Sequence, residues 1–248
     1  MIDCNIAGHV AEIVLDRAAT RNALGLDDWR AIADAAQAAH RQAARVIVLR
    51  SAVPGSFCSG FDLREIGHLA HEPALRPDFR AAMRAAMDPL QTLPLATIAV
   101  VEGDCFGGGV ALALACDIRI AAPSAVFAIT PARLGISYPQ EDVNRLVALV
   151  GRGQAARLLF AAGRIDATEA ARIGLVEQVE GDAPGAARAL AAQIAANAPA
   201  SIAALKATLG DSGAGHDPAH DAAFDAGFGG APFAEGLAAF RERRSPRF

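Results

Sequence analysis

The sequence predicts an α/β core followed by a helical C-terminal region. Three observations lead there. Short β-branched runs alternate with alanine-rich helical stretches over the first 180 residues. Glycine-rich turns sit at the ends of two of those runs. Beyond residue 180 only helix signals continue, and the chain shows no internal repeat and no Pro/Gly linker to separate independent domains.

Taken in order, Val10 to Leu15 reads as a strand, and a helix begins near Leu26. Asp27 and Asp28 suit the positive end of that helix, and Leu26, Trp29, Ala33 and Ala36 mark its apolar face. Arg45 to Leu49 and Ala96 to Val101 are short runs typical of buried strands. The turn-rich segment Ser51 to Gly60 follows the first, and the run Gly107-Gly108-Gly109 follows the second. Between these two strands, His71 to Asp78 carries Pro73 and Pro77 and reads as a mobile loop. Ala111 to Ala115 is small and apolar, as in a tightly packed helix, and Ile118 to Ile120 is the next strand.

From Asp142 onward helices dominate. Asp166 stands three residues before Glu169, the spacing of a helix cap, and Gly174 closes that helix. Leu175 to Val179 reads as a last strand. Pro184 to Asn197 and Pro199 to Leu209 read as helices, Gly210 to Pro218 as a loop, and Glu235-Gly236-Leu237 as part of the final helix. The expected division is a core over residues 1–195 and a helical region over 196–248.

Composition narrows the function. Hydrophobic residues make up 53% of the 248, enough for a sizeable core. The net charge is −4, and one Trp and one Tyr offer little base-stacking surface, so a nucleic-acid partner is not expected. Arg241, Arg243, Arg244 and Arg247 make the C-terminus locally basic, as a solvated helix face or a phosphate contact. Cys4, Cys58, Cys105 and Cys116 form no C-x-x-C pair, and no metal set is expected. His216 and His220 have helical spacing but lie in a Gly/Asp/Pro-rich stretch. No signal peptide and no membrane span are read, so a cytoplasmic protein with reduced thiols is expected.

Two strand-to-loop junctions carry chemistry. They are Gly55-Ser56-Phe57-Cys58-Ser59-Gly60-Phe61-Asp62-Leu63 and Glu102-Gly103-Asp104-Cys105-Phe106-Gly107-Gly108-Gly109. Glycines let a backbone bend sharply and let a ligand approach. Two N–H groups converging there would form an oxyanion hole. A glycine triplet alone also suits a turn or close helix packing. No P-loop lysine follows it, no dinucleotide fingerprint is present, and Ser59 lacks a hydrolase elbow.

The junctions belong to a longer series. Arg21-Asn22-Ala23-Leu24, Phe57 to Leu63, Phe106 to Gly109 and Ala115 to Arg119 resemble successive signatures of the enoyl-CoA hydratase/isomerase (crotonase) superfamily. Phe127-Ala128, Arg133 to Ile136, Gly163-Arg164, Ala170 to Val176, Asn197-Ala198-Pro199, Lys206 and Glu235-Gly236 with Phe240, Arg243-Arg244 and Pro246 continue it in order over nearly the whole chain. The resemblance implies a ββα spiral core with a helical C-terminal trimerisation region, assembled as a homotrimer or a dimer of trimers. It implies an acyl-CoA substrate, with coenzyme A as part of the substrate and no other cofactor. It places the thioester oxygen on the backbone N–H groups of Phe61 and Gly108, and puts Ser59, Phe61, Asp62, Leu63 and Lys206 at coenzyme A-binding positions.

The sequence also departs from that pattern. The two positions where such hydratases carry catalytic glutamates hold Ala111 and Pro131, and neither side chain exchanges a proton. The stretch Ser137-Tyr138-Pro139-Gln140-Glu141-Asp142 offers other groups. Glu141 and Asp142 are the candidate acid/base pair, Glu141 first, with Tyr138 as a phenol; helix capping is the competing role of the two acids. Glu102 and Asp104 read as hydrogen-bonding supports of the glycine loop. Three functions are therefore open: hydratase/isomerase-like chemistry with a non-standard acid/base; thioester hydrolysis, decarboxylation or C–C cleavage on the same scaffold; or catalytically weak acyl-CoA binding.

Overall fold

The computed structural model describes residues 1–211 and 215–248; part of the loop expected over Gly210 to Pro218 lies outside them. The chain opens with an antiparallel hairpin, β1 (Ile2–Ala7) and β2 (Val10–Leu15), then β3 (Ala23–Leu24) and helix α1 (Leu26–Arg41). β4 (Val46–Ser51) leads to β5 (Ser56–Cys58), β6 (Gly60–Phe61), the one-turn helix α2 (Leu63–Ile66) and the long helix α3 (Arg76–Thr92). β7 (Ala96–Val101) leads to β8 (Asp104–Phe106) and α4 (Gly108–Leu114). β9 (Ile118–Ala121) leads to β10 (Val126–Ala128) and α5 (Gln140–Ala161). After β11 (Arg164–Asp166), α6 (Ala167–Arg172), β12 (Gln178–Val179) and α7 (Ala183–Ala195) come α8 (Pro199–Gly210), α9 (Pro218–Gly227) and α10 (Ala231–Glu242).

One strand of each successive pair joins each of two sheets. β2, β4, β7, β9 and β12 run parallel in a six-stranded sheet edged by β1, while β5, β8 and β10 line up in a second sheet with β11. Each β–β–α unit thus makes one turn of a spiral. β4 shows why its sequence is a continuous apolar run. Ile47 and Leu49 enter the larger core beneath α1 and α3, whereas Val46 and Val48 pack on the other face against Ala183, Ala187 and Ala191 of α7. Both faces of the strand are buried, so polar alternation disappears. The alanine stripe recurs every fourth residue, which brings α7 close to the sheet.

Three local expectations change. Ile2–Ala7 is a strand that the pattern did not flag, because its residues are mostly exposed. Pro73 and Pro77 do not make a mobile loop of His71 to Asp78. Pro73 opens a single 3-10 turn, and Pro77 sits in the first turn of α3, where its missing N–H costs nothing. α9 was not anticipated. The Asp166 cap is present, with its carboxylate accepting from Glu169 N–H at 2.8 Å.

Candidate active site

The two glycine-bearing junctions meet. β5 and β8 are parallel neighbours, and their register slips between Ser56 and Cys58, so the chain leaves β5 displaced towards α4. It then forms β6, which pairs with β3. Gly60 has φ +97°, and a Cβ there would fall 2.9 Å from Phe106 O and 3.2 Å from Gly108 N. The contact therefore tolerates only glycine. The Phe61 ring lies over Gly108, where an added Cβ would stand 2.8 Å from Cε1. Trp29 and Phe79 flank that ring edge-on, with centroids at 6.1 and 5.3 Å.

The backbone donors follow from this path. Asp62 N–H donates to Leu24 O at 3.0 Å. Phe61 N–H, one residue earlier on an extended strand, faces the opposite edge. Gly108 is the first residue of α4, so its N–H has no intrahelical acceptor. Gly107 is tied down at both of its backbone polar groups. Gly107 N–H donates to Ala128 O at 2.9 Å, and Gly107 O accepts from the Tyr138 hydroxyl at 2.9 Å.

The start of α5 supplies the ionisable groups. Asp142 is 1% exposed. Its Oδ1 accepts from Arg145 Nη1 at 2.8 Å, and its Oδ2 has no hydrogen-bond partner among the described residues. Burial pushes its carboxyl up from 3.8 to about 6, against the pull of the Arg145 charge. Glu141 is half-exposed and pairs with Arg84 of α3 at 3.2 Å. Arg145 also reaches Gln91 at 3.0 Å and Asp88 at 3.4 Å, which ties α5 to α3. Arg80, Met83, Met87, Pro139, Glu141 and Asp142 line a narrow pocket at this seam. A larger cavity of about 410 Å³ opens at the opposite end of the strands, beside His9, His40 and Arg45. It holds neither glycine junction nor the acidic pair, so its size does not mark the chemistry.

The remaining sequence candidates separate. Ala111 is fully buried in α4, and Pro131 is buried at the start of a 3-10 turn, so neither position offers a proton-transfer group. Ser59 bonds back to Thr20 O at 3.1 Å. Asp62 is buried and caps α2 by accepting from Arg64 N–H at 3.1 Å, while Leu63 is exposed beside it. Asp104 is ion-paired to Arg21. His220 links α9 to Asp211 and Thr208 at the end of α8. Arg244 is engaged by Glu235 and Glu242 within the C-terminal segment.

Lys206 requires a correction. Its ammonium is buried and donates to Leu90 O at 2.7 Å, Leu95 O at 2.8 Å and Asp117 Oδ2 at 2.9 Å. All three donors are used, so Lys206 is a strut between α8 and the α3–β7 turn and not a coenzyme A ligand. Lys206→Met leaves those acceptors unsatisfied and is expected to lower stability by about 3 kcal/mol. Denaturant unfolding measures this, and calorimetry is expected to show unchanged acyl-CoA affinity.

Comparison with known proteins follows this geometry. Residues 5–248 match the family model described as enoyl-CoA hydratase/isomerase. The chain is 35% identical over 255 residues to the mitochondrial enoyl-CoA hydratase domain-containing protein 2 of Homo sapiens, covering 96% of this chain and 85% of that one. It is 37% identical over 175 residues to the mitochondrial methylglutaconyl-CoA hydratase of Mus musculus, covering 68% of this chain and 55% of that protein. The stretch matched in the plant and rodent hydratases thus spans about half of their length. Among solved structures, an enoyl-CoA hydratase from Bacillus anthracis superposes with a TM-score of 0.93 at 31% identity, covering 100% of this chain and 98% of that one.

Proposed function

The chain belongs to the enoyl-CoA hydratase/isomerase family, and from that premise we propose that it processes an acyl-CoA by acid/base chemistry through a thioester enolate. The thioester oxygen accepts from Phe61 N–H and Gly108 N–H. Charge grows on that oxygen as the enolate forms, so the two donors bind the transition state better than the substrate. Asp142 is the acid/base. Its ionised carboxylate takes a proton from the acyl chain, the electron pair moves into the carbonyl, and the proton returns to a different carbon. One carboxylate moving one proton suits double-bond isomerisation better than hydration, which needs groups to handle water as well. The observation that carries this reading is the Asp142 Oδ2, buried and unpartnered among the described residues. It favours Asp142 over Glu141, which is half-exposed and engaged by Arg84.

No metal or redox cofactor enters the proposed steps, and coenzyme A comes and goes with the substrate. Among the described residues no helix is long and apolar enough to cross a membrane. We also propose a homotrimer or a dimer of trimers. Phe224, Phe228, Phe233 and Phe240 of the C-terminal helices are exposed, and packing between copies would bury them; light scattering is expected to give three or six chains.

The test of the reaction uses crotonyl-CoA, 3-enoyl-CoA and butyryl-CoA in deuterated water, followed by mass spectrometry. Deuterium is expected to enter the acyl chain, while crotonyl-CoA hydration stays at least ~10²-fold below that of a two-glutamate hydratase. Hydration at ordinary rates would refute the inference drawn from Ala111 and Pro131. Binding of acyl-CoA with no exchange and no turnover would make the chain an acyl-CoA-binding protein. Thioester hydrolysis or loss of carbon dioxide across a wider acyl-CoA panel would move it to the other chemistries.

A further inference from the structure

We propose that Tyr138 is a positioning residue that aims and strengthens the Gly108 N–H donor by clamping the carbonyl oxygen of the same peptide group. The inference rests on the oxyanion-hole reading above.

In a trans peptide the C=O of one residue and the N–H of the next point in opposite directions. Whatever fixes Gly107 O therefore fixes the direction of Gly108 N–H. Three donors hold that oxygen: Val110 N–H at 3.0 Å, Ala111 N–H at 3.2 Å and the Tyr138 hydroxyl at 2.9 Å. The first two come from α4 itself. Only the third arrives from outside, from the segment that leads into α5 and Asp142.

This peptide needs an outside hold. Gly107 has φ +49° and ψ −114°, a conformation closed to residues with a side chain. Glycine occupies both sides of the peptide, so no side chain resists its rotation. A hydroxyl donating from a buried ring does. It also polarises the amide, because a hydrogen bond accepted at the oxygen makes the N–H a stronger donor. Tyr138 is 8% exposed, and burial, with the nearby Asp142 charge, pushes its phenol well above 10. The hydroxyl keeps its proton at any working pH and stays a donor. The same short segment, Tyr138 to Asp142, thus holds the acid/base and tunes the hole.

The carbonyl stretch of a bound thioester reads the hole directly, without turnover. The probe is butyryl-CoA labelled with ¹³C at the thioester carbonyl, followed by difference infrared spectroscopy in the intact protein. In the wild type the stretch is expected to move to lower frequency on binding. In Tyr138→Phe, which removes only the hydroxyl, that displacement is expected to shrink, with kcat about tenfold lower and KM little changed. An equal displacement in wild type and Tyr138→Phe overturns the role of Tyr138. No displacement in the wild type overturns the oxyanion hole itself, which separates the two failures.

Tyr138 is the single tyrosine of the chain, so uniform replacement by a fluorinated tyrosine modifies this ring alone. If Tyr138→Phe does not fold, that protein decides the matter. A more acidic phenol is a stronger donor, and the displacement is expected to grow. An unchanged displacement overturns the proposal.

Discussion

Gly108→Pro is expected to lower turnover ~10²–10³-fold in a chain that still folds. Proline removes the N–H that would meet the thioester oxygen. Gly108 is the first residue of α4, the one helical position where proline is well tolerated, so the helix need not break. The local obstacle is the Phe61 ring, 2.8 Å from where a Cβ would stand, and the end of a ring can turn aside. The measurement is kcat on the acyl-CoA that shows exchange, with circular dichroism as the control for folding. Unchanged turnover in a folded variant removes Gly108 from the hole. Gly108→Ala separates the two effects. It keeps the N–H while displacing Phe61, and is expected to lose far less.

Asp142→Asn is expected to lower kcat ~10²-fold or more and to abolish one limb of the pH profile. The carboxyl lies at about 6 in the folded chain, and a base must be ionised. Turnover of the wild type is therefore expected to rise with pH through about 6 and to level off above it. Glu141→Gln, at a half-exposed carboxylate, is expected to keep that limb and most of the rate. If Glu141→Gln is the variant that loses activity, the assignment is reversed. If both variants remain fully active, the pair only caps α5.

The same group ties stability to pH. Its folded value is raised above the ordinary 3.8 because burial disfavours the charge. Its contribution to folding is thus fully present below 3.8 and lost as the pH rises through about 6. The loss amounts to about 3 kcal/mol. Asp142→Asn cannot ionise. Relative to the wild type, it is expected to gain stability across that window, as melting temperatures at acidic and alkaline pH would show. Equal differences at both ends would mean that Asp142 ionises without cost.

Much of the scaffold was written locally. The β-branched runs at Val46–Ser51 and Ala96–Val101 became neighbouring strands, and the carboxylate-rich first turn of α1 stands at Leu26 as expected. The misses have physical causes. The prolines before and within α3 signal a loop when read alone, yet proline also fits a helix's first turn, and the apolar stripe Met83, Met87 and Leu90 shows which applies. β1 escaped notice because an edge strand with mostly exposed residues carries little apolar pattern. The Asp142–Arg145 spacing was visible in the sequence as a helical pair, but nothing local said that it would be buried.

The sequence by itself determined the alternation of the main strands with helices, the two glycine junctions and side chains at Ala111 and Pro131 that cannot exchange a proton. It did so because periodicity, glycine and the absence of a titratable side chain are properties of residues. The tertiary structure alone decided the rest. It turned Glu141 towards Arg84 and its neighbour Asp142 inward, because adjacent helical residues point about 100° apart and the packing of α5 on α3 chooses between them. It spent the Lys206 ammonium on two carbonyls and Asp117, a fate that no lysine announces. It also brought Gly60 against Gly108 and laid the Tyr138 hydroxyl on Gly107 O. Every residue but proline has a backbone N–H, so only the fold can say which backbone groups come to face one another.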